Sequence, residues 1–312
     1  MLRAPALLLL LLASTPQIAL AQQGKEAPVG TFLTPGTKPD LAFGAYQRGF
    51  YQEAMREAQK RAANDPKDGA AMALIGELYR SGLGVDRSLE EAMRWYQLAA
   101  EAGDAQGAFA LAIAHLRGEG VKPDPQKARS LLQQAAQKNH PAALYELGML
   151  DLESDLQNPA RAAESFTRAV SLGSADAAYA LALLYKSGRG VSEDRNKAAQ
   201  LMKQAASGDL VAAQIEYGIM LFNGDGTAKD EVAAAKLFQK AARIGNPLGA
   251  NRLARLYVTG RGVERNMVEA MKWHLFARQN GLKDEWLDAQ LATLSPDERR
   301  AAEAAARQLS PI

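Results

Sequence analysis

The stretch Ser81–Asp104 reads SGLGVDRSLEEAMRWYQLAAEAGD. It holds a glycine-valine turn, a helix start at Ser88, an aromatic pair at Trp95-Tyr96, an alanine pair at Ala99-Ala100 and a Gly103-Asp104 stop. The same succession of roles returns five more times. Glycine turns begin at Gly82, Gly118, Gly188, Gly224 and Gly260. The alanine pairs begin at Ala99, Ala135, Ala169, Ala205, Ala241 and Ala277, with Val170 and Arg278 as second members in the third and last units. Both markers give a step of 36 residues, except for one unit of 34, whose turn Glu153-Ser154-Asp155-Leu156-Gln157 has no glycine. Two independent markers in one register define an internal repeat, and a period of this length belongs to a solenoid.

Each unit reads as two helices. The first, helix A, carries Leu74, Gly76, Leu78 and Tyr79 in the first unit. The small residue at Gly76 lets the neighbouring helix approach, and the first glycine of the turn ends the helix in a left-handed cap. The second, helix B, starts at Ser88, Asp124, Asn158, Asp194, Asp230 and Asn266, all residues that cap free backbone N–H groups. Ser88 with Glu91 has the pattern of a capping box. Pro125 and Pro159 sit at the first helical position, where no N–H is needed. Ala92, Trp95, Tyr96 and Ala99 then form an apolar stripe at helical spacing.

Outside the repeats the chain changes character. Residues 1–21 have the pattern of a secretory signal peptide: Arg3, an apolar run from Ala6 to Ala13, and an A-x-A site at Ala19-Leu20-Ala21. The expectation is cleavage after Ala21, an exported chain beginning at Gln22, and no membrane span beyond the leader. Residues 22–38 form a proline- and glycine-bearing lead-in. Residues 39–68 are a shorter helical pair that caps the array. Residues 69–284 hold six repeats. In residues 285–312, Trp286, Leu287, Leu291 and Leu294 form an apolar stripe. Ser295-Pro296-Asp297-Glu298 then opens a C-terminal capping helix, since solenoid ends need covering. There is no cysteine, so packing alone stabilises the fold. The net charge is +2 with the leader and +1 without Arg3, which argues against nucleic acid as the partner.

The pattern L-G-x-x-Y, G-x-G-V, A-x-x-W-Y-x-x-A-A-x-x-G over Gly69 to Asp284 resembles the Sel1-like repeat, a relative of the tetratricopeptide repeat. The departures are His115 in a tyrosine slot, the glycine-free third turn, Thr227 for valine, and Leu131-Leu132 or Phe166 for the aromatic pair. The resemblance implies an all-α, right-handed α-solenoid of antiparallel helix pairs. It also implies a non-enzymatic adaptor. Exported bacterial members include regulators of sensor kinases, scaffolds of exopolysaccharide secretion and a cysteine-rich group that binds β-lactams. The missing cysteine sets this chain apart from the last group, and from lipidated scaffolds.

No catalytic, cofactor or metal constellation stands out. His115, His140 and His274 fall in different units at structural slots. Asp225 and Asp230 resemble a calcium loop, but their spacing is wrong for one. An enzyme acting on cell-wall or β-lactam substrates would need convergent polar groups, and a structural scaffold of an envelope complex would not.

The feature left for function lies on helix A, which lines the concave face in the family the chain resembles. By that geometry an apolar inner set comprises Phe109, Ile113 and Leu116, then Tyr145, Met149 and Leu152, then Tyr179 and Leu183, and finally Ile215, Ile219 and Phe222. The first and last units offer Glu77, Arg80 and Ser81, and Asn251, Arg255 and Thr259. An apolar groove with polar ends suits a protein or peptide segment. The same apolar positions equally suit packing between adjacent units. The expectation is a periplasmic interaction module, an adaptor or regulator of an envelope sensor or exopolysaccharide system.

Overall fold

The computed structural model describes residues 40–153 and 158–309. The signal-peptide and lead-in assignments, and most of the glycine-free third turn, lie outside the described residues. Sixteen helices and no strand occur among the described residues, and they fall into two compact units.

The first unit ends at Gly107 and includes residues 119–121. It contains α1 (Leu41–Gln47), α2 (Tyr51–Asn64), α3 (Gly69–Ser81) and α4 (Leu89–Glu101), each packed on the next. Asp40 caps α1 and Asp68 caps α3. The Arg61 guanidinium near the end of α2 bonds to both carboxylates, at 2.6 Å and 2.8 Å. One side chain thereby ties three helix ends together.

The second unit takes in most of α5 (Ala105–Arg117). It continues through α6 (Pro125–Gln137), α7 (Pro141–Glu153), α8 (Pro159–Ser171), α9 (Ala175–Ser187) and α10 (Arg195–Ser207). Next come α11 (Val211–Asn223), α12 (Glu231–Arg243), α13 (Pro247–Thr259) and α14 (Met267–Gln279). The chain closes with α15 (Glu285–Leu291) and α16 (Pro296–Arg307), and α16 packs on α14. From α6 to α14 each helix packs on its successor. This is the all-α solenoid arrangement of antiparallel pairs.

The sequence explains why the pairs close so tightly. Ala92, Ala128, Ala162, Ala198, Ala234 and Ala270 are fully buried, as are Ala99, Ala135, Ala169, Ala205, Ala241 and Ala277. A stripe with only methyl groups lets backbones meet at short range. The glycine slot works the same way. A Cβ on Gly76 would lie 2.7 Å from the Tyr96 ring, and one on Gly218 would lie 2.7 Å from Phe238. Both distances are far below van der Waals contact, so the aromatic ring of helix B occupies the room that glycine leaves.

All six helix-B caps form. The side chains of Ser88, Asp124, Asn158, Asp194, Asp230 and Asn266 each accept the N–H of the residue three positions on. The capping box at Ser88 is half made. Ser88 Oγ accepts the Glu91 N–H, but the Ser88 N–H donates to the Tyr79 carbonyl at 3.0 Å, and the Glu91 carboxylate lies 3.7 Å from Arg94. Every repeat uses the cap N–H in this way. Asp124 donates to His115, Asn158 to Asp151, Asp194 to Tyr185, Asp230 to Leu221 and Asn266 to Tyr257. The acceptors are last-turn carbonyls of helix A, which have no partner within their own helix. The turn thus closes because the cap of one helix satisfies the end of the other. At the C-terminal end, Ser295 and Glu298 form a complete capping box.

Asp230 is the cleanest test of these caps, because its carboxylate makes only the 2.8 Å bond to the Ala233 N–H. Replacing Asp230 with alanine is expected to lower stability by about 1 kcal/mol. Urea denaturation followed by circular dichroism measures it, and an unchanged midpoint would remove the cap from the account.

Candidate functional site

The helix-A positions of the second unit form three rows. In the first row Phe109, Tyr145 and Tyr179 are half-buried, whereas Ile215 is only 4% exposed and Asn251 likewise. Ile215 therefore belongs to the core, packed in the cluster that contains Phe238, and not to an exposed face. Size is the physical reason. The slot covers an isoleucine or asparagine completely, and only the larger aromatic rings reach out of it.

The second row, Ile113, Met149, Leu183 and Ile219, is half-buried throughout. In the third row Leu116, Leu152 and Phe222 are half-buried, and Lys186 interrupts the stripe, paired with Glu216 at 3.2 Å. Ten of the eleven apolar residues thus keep part of their surface open. The two expectations divide by row and size: the rings emerge and Ile215 packs.

Several of these residues also serve the fold. Phe109 stacks on the His140 ring with centroids 4.7 Å apart, and His140 Nδ1 accepts the Ala143 N–H at the start of α7. Tyr145 lies 5.8 Å from Phe166. Burial raises the Tyr145 phenol above its ordinary pKa, and the nearby carboxylates of Asp176, Glu146 and Glu153 add to the shift. Burial also raises the Glu146 carboxyl, against the pull of Arg117. The middle of the face therefore carries acidic neighbours.

The end of the face is different. Ile219 and Phe222 open into a cavity of about 400 Å³, lined also by Arg252, Arg255, Leu256, Arg261 and Trp286. The Arg261 guanidinium lies 3.9 Å over Phe222 and bonds to Glu231. That of Arg255 lies 4.9 Å over Trp286 and makes two bonds to Asp284, at 2.7 and 2.8 Å. The polar end expected from Asn251 and Arg255 is thus a latch. Asn251 also donates to Asp284, at 2.8 Å, and this latch holds α15 against the last repeat. Within the first unit Glu77 accepts from the Tyr96 hydroxyl at 2.9 Å and from Arg80 at 2.7 Å.

The three histidines have structural partners. His115 Nδ1 meets the Lys122 carbonyl at 3.2 Å, and His274 Nε2 meets Asp288 at 2.8 Å. Asp225 pairs with Arg195 at 3.1 Å. No group of three or more His, Asp or Glu residues is placed to hold a metal among the described residues. No described helix is long and apolar enough to cross a membrane.

Sequence reasoning missed Asp151. It stands in the tyrosine slot of the short third unit, 4% exposed, and bonds to Arg129 at 2.7 Å and Arg161 at 3.4 Å. An aspartate in a slot otherwise held by Tyr, His or Leu was the available signal.

Paired helices and an alanine seam repeated six times, with a glycine turn in five of the units, define a helical-repeat protein of the tetratricopeptide-like class. The Sel1 repeat matches residues 69–104, 105–140, 141–174, 175–210, 211–246 and 247–282, and the chain belongs to the Sel1 repeat family. Sel1 repeats generally mediate contacts with other proteins.

Among solved structures, the chain is similar to a Sel1 repeat protein from Oxalobacter formigenes. The TM-score is 0.66 and the identity 28%, over 79% of this chain and all of that one. It is also similar to c5321, a protective antigen of uropathogenic Escherichia coli with an SLR fold. There the TM-score is 0.53 and the identity 26%, over 86% and 67% of the two chains. Among curated proteins, Chitin synthase regulator SKT5 of Saccharomyces cerevisiae is 28% identical over 247 residues, 75% of this chain and 35% of the yeast protein. Chitin synthase regulatory factor 3 of Schizosaccharomyces pombe is 28% identical over 59% of this chain and 21% of its own length. The chain thus spans about a third and a fifth of these relatives.

Proposed function

We propose that the chain is a non-enzymatic regulator exported to a bacterial periplasm, which binds a protein segment along the helix-A face of its second unit. The observation that carries this reading is the set of half-buried rings and aliphatic side chains on α5, α7, α9 and α11. Apolar surface kept open in register over several repeats is surface for a partner. The leader-like residues 1–21 support export. The yeast relatives are regulators of a polysaccharide-synthesising enzyme by name. That favours an exopolysaccharide system over an envelope sensor as the regulated target.

The test uses Tyr179 and Leu183, which stand in the middle of the face and are half-buried. Replacing both with alanine is expected to weaken partner binding by at least about 2 kcal/mol. The chain should still fold, because half-exposed side chains lose only part of a full burial energy of about 1.5–3 kcal/mol each. Photo-crosslinking in the periplasm with mass spectrometry identifies the partner and measures its loss. Unfolding of the variant without selective loss of crosslinks would make the face inter-repeat core and end the reading.

A further inference from the structure

The cavity at the end of the face has one unusual occupant. Three guanidinium groups line it. Arg255 is held by Asp284 and Arg261 by Glu231, but Arg252 makes no ion pair among the described residues. Its Nε is buried and has no hydrogen-bond partner. A buried donor on a charged group is costly to leave unmet, and such groups are normally paired. The remaining walls are mostly apolar, with Ile219, Phe222, Phe238, Leu256 and Trp286, and Asn223 and Thr259 stand beside them. At about 400 Å³ the space lies within the range of ligand sites, about 300–1,000 Å³.

We propose that this pocket receives one acidic side chain of a bound protein segment, together with a bulky apolar neighbour in the same segment. This rests on the reading of helix A as a binding face, and it adds where the segment is anchored and by what chemistry. Arg252 takes the carboxylate through charge-assisted hydrogen bonds. Phe222 and Trp286, each held under a guanidinium, take the apolar side chain. Among the described residues of the lining Arg252 is the one cation without an ion pair, set in a mostly apolar wall, and it matches the single charge of a carboxylate. The occupant is a protein segment because Ile219 and Phe222 belong both to the pocket and to the open rows of the face. The acidic surroundings of Tyr145 set the direction. An acidic residue is repelled from the middle of the face and drawn to this end.

Three phage-displayed nonapeptide libraries, with the central position fixed as glutamate, glutamine or lysine, are selected against the full chain. The expected result is enrichment from the glutamate library alone, with an aromatic or large aliphatic residue beside the glutamate. The best synthetic peptide should lose about tenfold in affinity when its glutamate becomes glutamine, and about thirtyfold against Arg252→Gln. The Arg252→Gln melting curve should lie at or above that of the parent, since Arg252 makes no described ion pair or hydrogen bond and its buried Nε donor is unmet.

Enrichment from all three libraries, with crosslinks to α9 and no effect of Arg252→Gln, would overturn the pocket and leave the face intact. No enrichment from any library would overturn both. Binding of 3-phenylpropionate as tightly as the best peptide would overturn the protein segment as occupant.

Discussion

Replacing Gly262 with alanine should cost about 3–4 kcal/mol, whereas the same change at Gly281 should cost about 1 kcal/mol. Both residues have positive φ, +70° and +85°, so both substitutions carry the strain of a left-handed L-residue. The difference is their surroundings. A Cβ on Gly281 would meet nothing within 4 Å. One on Gly262 would run into the Glu231 carbonyl group, well inside van der Waals contact, at the first residue of α12. A backbone does not step aside as a flexible side chain does. The turn before α14 must therefore lift off the start of α12. The Arg261–Glu231 ion pair across that contact would go with it.

The contact recurs. Gly226 stands against the Arg195 carbonyl at the start of α10, Gly190 against Pro159 at the start of α8, and Gly84 against Tyr51 at the start of α2. In a solenoid the stability is close to a sum of repeat terms and nearest-neighbour terms. Gly262→Ala is thus expected to weaken one interface and to split a single urea transition into two. Circular dichroism together with hydrogen exchange on α13 to α16 reads this directly. Equal costs at Gly262 and Gly281 would show that the second glycine serves only its own backbone conformation.

This glycine marks the limit of what the sequence discloses. The first glycine of each turn has a local task, ending helix A, and local tasks are visible as spacing. So are the helix-B caps, the alanine seam and the glycine beside the helix-B ring. The second glycine meets a residue some thirty positions earlier, at the start of the preceding helix B, and no local pattern encodes that approach. The half-made capping box at Ser88 fails for the same reason, because its N–H goes to Tyr79 in the other helix. On the candidate face, the register of helix A orders the apolar rows along the chain. Exposure within a row depends on whether a side chain outgrows its slot, so Tyr179 emerges and Ile215 does not. Arg252 was not legible at all. Arg252, Arg255 and Arg261 look alike in sequence, and only the positions of Asp284 and Glu231 single out the unpaired one.

Replacing Asp284 with alanine is expected to cost about 2–4 kcal/mol and to free α15 and α16 from the last repeat. Its side chain is 7% exposed. It accepts two bonds from Arg255, one from Asn251 and one from the Leu287 N–H that caps α15. Removal leaves the buried Asn251 amide without its acceptor, at about 1–3 kcal/mol, and strips the cap from α15, at about 1 kcal/mol, while the Arg255 side chain, 39% exposed, turns to solvent.

The pH dependence has a definite sign. Burial alone would raise the Asp284 pKa, but the bonds from Arg255, Asn251 and Leu287 overcome it and hold the carboxyl at about 2, below its ordinary 3.8. A folded-state pKa below the unfolded one gives stability that is complete above the unfolded value. It is lost as the pH falls from about 4 through about 2, and the amount is about 2 kcal/mol. Asp284→Asn keeps the cap on α15, since asparagine caps as well as aspartate. It should therefore have a shallower fall in stability between pH 4 and pH 2 than the parent. Other paired carboxylates such as Asp68 titrate in both proteins, so the difference between the two curves isolates Asp284. Parallel curves would mean that the carboxylate is not what latches the cap. Because Arg255 and Trp286 form one wall of the Arg252 pocket, Asp284→Ala should also abolish binding of the glutamate peptide, while Asp284→Asn should retain most of it.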